Sequence, residues 1–193
     1  PNGIHISDCR FINIGTRHIK GTRDPADDTK RIRGGSVRCC YFENTVVPPA
    51  SGGWHANGDY VAGIDAMCLA DWVFEDNEFR GIRGRNAVGR SAIFVWHFSE
   101  GITIHRNRII NGDRGITLGL SGDISGYHVN GAIVRNNFIK LRSLDGLSSD
   151  SGIECWTVNN IRIYNNSVWR SENPNGRGIR FIANVHNTQM VNN

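Results

Sequence analysis

A chain of 193 residues is the length of one domain, and 39% hydrophobic with 21% charged residues is the composition of a folded domain rather than a disordered one. The 22 Lys and Arg against 18 Asp and Glu leave a net charge of +4, which suits an acidic polymer, but no dense Lys/Arg run marks a nucleic-acid partner. No apolar run approaches the ~20 residues of a membrane span, so neither nucleic acid nor membrane is the expected partner.

In chain order, Ile4-His5-Ile6 and Phe11-Ile12-Asn13-Ile14 read as short strands. Residues 15–31 are polar and read as a loop. Further excursions are expected at 45–60, 119–130 and 140–151. Between them a pattern recurs: Gly63-Ile64-Asp65-Ala66 leads to Trp72-Val73-Phe74-Glu75-Asp76-Asn77, and Gly152-Ile153-Glu154-Cys155 leads to Ile161-Arg162-Ile163-Tyr164-Asn165-Asn166. Ala92 to Asn107 follows the same plan, and Gly178-Ile179-Arg180-Phe181 leads to Met190-Val191-Asn192-Asn193. No stretch carries sustained helical periodicity.

The Asn fixes the period. Asn77, Asn107, Asn137 and Asn166 each have an apolar residue three before and two after, Asn193 fits as far as the chain goes, and Cys9 and Cys40 take the same place earlier. From position 9 the steps are 31, 37, 30, 30, 29 and 27. Strands this short bury a face only by stacking on neighbouring repeats. These units resemble the repeat of right-handed parallel β-helix proteins of the pectate-lyase-like superfamily, which includes pectate lyases, polygalacturonases and alginate lyases. The resemblance covers nearly the whole chain. It implies an all-β, right-handed parallel β-helix of about six to seven coils, one domain over residues 1–193, in which inward Asn side chains stack at a turn. It also implies a carbohydrate-active protein, extracellular or at a cell surface. No end cap is visible, so the remainder of a longer chain, or a partner, is expected to cover the solenoid ends. Cys9 and Cys40 on consecutive coils are either a pair of buried thiols or close enough for a disulfide.

Strand period then sorts inside from outside. With the Ile of each Gly-Ile strand inward, Asp65, Phe94, Thr117, Glu154 and Arg180 form an outward row, followed by Met67, Trp96, Gly119, Trp156 and Ile182. Trp96 and Trp156 would wall a slot floored by Gly119, a shape that suits sugar rings. Beside it, Asp113 and Asp150 fall on consecutive coils, with Arg90, Arg114 and Arg177 around them and Glu154 and His97 near. Two such carboxylates could serve a glycosidase. A lyase would instead use the arginines on a uronate carboxylate and His97, Tyr127 or His128 as acid or base. The expected catalytic residues are Asp113, Asp150, Arg114 and His97. The expected substrate-binding residues are Trp96, Trp156, Glu154, Arg90, Arg177 and Arg180. None of Lys20, Lys30 and Lys140 is expected on the central rows, and no acidic calcium cluster or paired-Asp motif of the superfamily is found. No metal or cofactor is therefore expected; calcium, with Asp59 and Asp65 as its candidate ligands, has no support in the residues. The expected ligand is a polysaccharide or oligosaccharide, acted on by a lyase or a glycoside hydrolase. The competing reading is a non-catalytic glycan-binding or structural surface module.

Overall fold

The computed structural model describes residues 3–47, 56–122, 124–141, 151–170 and 176–193. Among these the chain forms twenty short strands and one 3-10 turn at Ala56–Gly58. Every strand pairing is parallel, and the chain winds as a β-solenoid of about five turns, close to the six to seven coils expected.

Each turn contributes to three strand ladders, here called sheets one to three, of which the first two are joined into one hydrogen-bonded sheet through Ser151–Tyr164. Sheet one holds Arg17–Gly21, Ala62–Met67, Ser91–Trp96, Arg114–Leu118 and the first halves of Ser151–Tyr164 and Arg177–His186. Sheet two runs from His5–Ser7 through Ser36–Arg38, Val73–Glu75, Ser99–His105 and Val129–Arg135 to residues 162–164 and Gln189–Val191. Sheet three stacks Arg10–Ile12, Tyr41–Glu43, Glu78–Arg80, Arg108–Gly112, Phe138–Leu141 and Ser167–Arg170. Arg17–Gly21 lies where the sequence read as a loop. Its single apolar residue, Ile19, pairs with Ile64 and extends the inward row by one rung.

Like side chains stack because the rungs stay in register. Ile64, Ile93, Ile116 and Ile153 form one fully enclosed row. On sheet three, Phe11, Phe42 and Phe79 stack nearly parallel with centroids 4.9 and 4.6 Å apart, and Ile109, Ile139 and Val168 continue the row. These spacings match the ~4.8 Å between neighbouring strands.

The corner between sheets two and three is built by two adjacent columns. Asp8, Cys39, Asp76, Arg106, Asn136 and Asn165 all adopt left-handed φ of 51–56°. The next residue on each rung points inward. Asn77 Nδ2 donates to Val37 O (2.9 Å) and to Asn107 Oδ1 (2.9 Å), and the backbone N–H of Asn77 donates to the same oxygen (3.1 Å). Asn107, Asn137 and Asn166 repeat the pattern, each onto the Asn of the following rung. The amide thus satisfies the backbone groups that a sharp corner takes out of the ladder. Cys9 and Cys40 occupy the first two places of the column as free thiols, and all five cysteines are free.

A second left-handed column bends sheet two along its length. Gly34, Asp71, Gly101, Gly131, Asn160 and Asn187 share one rung position, with φ between 45 and 79°. Gly, Asn and Asp are the residue types that tolerate this conformation. The bend makes the outer side of sheet two concave.

Candidate functional site

Sheet one departs from strict alternation where each strand begins. A Cβ on Gly63 would stand 2.6 Å from the Phe79 ring, and one on Gly115 would stand 2.8 Å from Ile139. Both positions point inward at sheet three, as does the Ile that follows. Two successive inward residues shift everything before them by one face. Ser91, Arg114 and Ser151 are thereby turned outward: Ser91 Oγ hydrogen-bonds Thr117 Oγ1, and Ser151 Oγ donates to Glu154 Oε1 (3.1 Å).

This shift corrects the placement of Asp113. It is fully buried, and its Oδ2 accepts the backbone N–H groups of Gly84 (2.7 Å) and Gly89 (3.1 Å). It clamps the 81–90 loop and is not open to solvent on the outer face. Asp150 lies outside the described residues.

The outward row of sheet one reads Lys20, Asp65, Phe94, Thr117, Glu154 and Arg180 across six rungs. Lys20 therefore does fall on a central row, on a strand whose polar sequence reads as loop. Its Nζ is 2.8 Å from Asp65, whose oxygens also accept Tyr60 Oη–H (3.0 Å) and Trp96 Nε1–H (3.0 Å). With three donors and no exposed surface, Asp65 is a structural hub rather than an open carboxylate. Burial and the Asp65 charge push the Tyr60 phenol up. Trp96 lies flat on Phe94, with centroids 5.5 Å apart and an interplanar angle of 3°. Its indole is thus held against Phe94 and Asp65, and the cleft wall expected from Trp96 is supplied by Phe94.

Over the next two rungs a cleft of about 200 Å³ opens between Phe94 and Trp156. Arg90 and Arg114 line it on one side, and Gly119, Leu120 and Ser121 form the rim opposite. Glu154 and Thr117 form its floor. Glu154, 2% exposed, accepts from the Ser151 hydroxyl, the Thr117 hydroxyl (3.3 Å) and Arg180 Nη1 (3.5 Å). The Arg180 guanidinium also lies 5.7 Å from the centroid of Trp156, and that of Arg90 lies 5.7 Å from the centroid of Phe94. Gly119 has φ +86°, and a Cβ there would overlap the Trp156 carbonyl oxygen. The rim loop therefore leaves the sheet in direct contact with the Trp156 backbone. Cys155, on the inward side of the same strand, has its thiol pushed up to about 12 by burial and by the Glu154 charge, so it is inert.

Of the expected site residues, the structure brings Arg90, Arg114, Glu154 and Trp156 around one cleft, with Arg180 bonded to its floor. Arg177 pairs with Ser151 on the neighbouring rung and is exposed outside the cleft lining. His97 is also elsewhere. It occupies the corner after Trp96 at φ 52°, with Nε2 3.5 Å from Asp28, and its backbone N–H donates to His128 Nδ1 (3.3 Å). Burial, and secondarily His97, holds His128 down at about 4. Neither histidine lines the cleft. Phe94 and Thr117 were visible as an outward row but lacked an assigned role, and Lys20 and Tyr60 would have required recognising the first rung. Among the described residues no group of three His, Cys, Asp or Glu side chains is placed to hold a metal. No family model, curated protein or solved structure matches the chain.

Proposed function

We propose that the protein is a carbohydrate-active solenoid of the pectate-lyase-like kind. In this reading the Phe94–Trp156 cleft takes one acidic sugar residue of a polysaccharide. The observation that carries it is the convergence on one small cleft of two arginines, two aromatic walls and, among the described residues, a single buried carboxylate. The aromatic faces suit the C–H faces of a pyranose ring. Arg90 and Arg114 suit a uronate carboxylate.

Of the two reactions considered, β-elimination fits this residue set better than hydrolysis. A glycosidase of the ordinary kind needs two carboxylates flanking the bond, and Glu154 is the only one lining the cleft among the described residues. In elimination, the arginines neutralise the uronate carboxylate and so acidify the adjacent C–H. Glu154 takes that proton, and the C–H electron pair becomes the new C=C bond. The glycosidic C–O bond on the next carbon breaks, the leaving oxygen takes a proton from water, and the hydroxide so formed takes back the proton held by Glu154, restoring the carboxylate and the water. The Ser151 and Thr117 hydroxyls, which donate to Glu154, hold the base in place.

The test is incubation with a panel of alginate, chondroitin sulfate and polygalacturonate, following ultraviolet absorbance of unsaturated ends alongside reducing-end release. Elimination yields both signals, and Glu154→Gln should abolish them while leaving binding nearly intact. Reducing ends without absorbance would replace the lyase by a hydrolase. Binding with neither signal would leave a non-catalytic glycan module, the second reading, which is favoured by the saturation of Glu154 with internal donors.

A further inference from the structure

The concave side of sheet two forms a trough of about 680 Å³, larger than the cleft and on a different face of the solenoid. Its floor is bare backbone at Gly101 and Gly131, two rungs of the left-handed column. On the next two rungs that column supplies Asn160 and Asn187, which rise into the trough. The opposite wall is the outward row Thr103, Ile133, Arg162 and Gln189.

The amides are fixed before any ligand arrives. Asn130 Oδ1 accepts from Asn159 Nδ2 (3.2 Å) and Asn160 Nδ2 (3.1 Å), and Asn159 Oδ1 accepts from Asn187 Nδ2 (2.9 Å). Each of Asn160 and Asn187 thus keeps one amide N–H for an outside acceptor. Preorganised donors lose little entropy on binding. Among the described residues no carboxylate lines the trough, and the exposed Arg162 has no lining acid among them to offset its charge. Donors therefore repeat along the solenoid axis at the ~4.8 Å rung interval, beside one cation and one half-buried apolar side chain, Ile133.

We propose that this trough is a second glycan site, binding an acidic polysaccharide chain laid along the solenoid axis. Arg162 takes an anionic group, Asn160, Asn187 and Gln189 take hydroxyl oxygens, and Ile133 meets a sugar C–H face. The site stands apart from the cleft and does not depend on the reaction proposed there. Its role is to hold the polymer rather than to cleave it.

Native gel electrophoresis through alginate tests this, with mobility expressed relative to a dextran gel to remove the effect of charge changes on migration. The parent should be retarded by alginate. Arg162→Glu and Asn160→Asp should each weaken the interaction about tenfold or more, the scale of losing a charge-assisted hydrogen bond. Lys140→Glu, the same charge reversal on sheet three, should leave retardation near the parent's. Trp156→Ala, which removes a cleft wall, should retain the component that Arg162→Glu removes. The proposal is overturned if alginate leaves the parent unretarded, if Arg162→Glu and Asn160→Asp are retarded like the parent, or if Lys140→Glu loses as much as Arg162→Glu. Both Arg162 and Asn160 are exposed, so their variants should melt like the parent.

Discussion

At the residue scale, the solenoid rests on side chains that do backbone work. Asn107 is 1% exposed, and its amide serves four partners: Asn77, Phe74, His105 and Asn137. Asn107→Ala should destabilise the protein by about 2–4 kcal/mol, since it leaves the buried backbone N–H of Asn77 without its acceptor and removes the amide's bonds to Phe74 O, His105 O and Asn137 Oδ1. Urea denaturation measures this, and a cost below about 1 kcal/mol would mean that the corner reorganises or admits water. The Asn column was legible because a polar residue recurs among apolar ones at fixed spacing, and the resemblance to parallel β-helix repeats implied that it stacks inward at a turn. Asp113 was misread for a related reason. An Asp in a glycine-rich surrounding looks the same whether it faces solvent or accepts two backbone N–H groups, and the difference depends on a one-residue change of face that strand alternation does not foresee.

At the element scale, the strands are uniform and the loops differentiate them. The Gly63, Gly115 and Gly152 positions bring sheet one close to sheet three, and that approach turns Ser91, Arg114 and Ser151 outward beside Thr117 and Glu154. The Gly119 loop then closes one side of the cleft. Gly119→Ala should cost at least about 2 kcal/mol, because φ +86° and the overlap with the Trp156 carbonyl oxygen both oppose a Cβ. The same variant should shift the Trp156 near-ultraviolet circular dichroism; an unchanged melt and spectrum would mean that the loop packs differently. The second left-handed column went unseen in the sequence. Its members, Gly34, Asp71, Gly101, Gly131, Asn160 and Asn187, share a conformation but not a residue type, so no single letter recurs. The strand Arg17–Gly21 went unseen because Arg, His and Lys surround its one inward Ile, although Ile19 stands in the same relation to Lys20 as Ile64 does to Asp65.

At the scale of the whole molecule, fold and site differ in how far the sequence exposes them. A solenoid repeats its packing on every rung, so seven instances of one pattern outvote the noise in any of them. A binding cleft occurs once, where particular rungs depart from the pattern, and period alone gives its rows but not which side chains spend their polar atoms internally. Trp96 and Trp156 illustrate this. They share an outward row, yet Trp96 donates its indole N–H to buried Asp65 while Trp156 lines the cleft. That difference gives the most direct test of the proposed cleft. In heteronuclear NMR spectra each indole N–H is a separate signal, and an oligouronate can be titrated into labelled protein. The Trp156 signal should shift and saturate with the binding isotherm, while those of Trp96, bound to Asp65, and Trp72, bound to Ile32 O (2.7 Å), should hardly move. A Trp156 signal that stays fixed while the oligouronate binds elsewhere would contradict the assignment of the cleft as the glycan site.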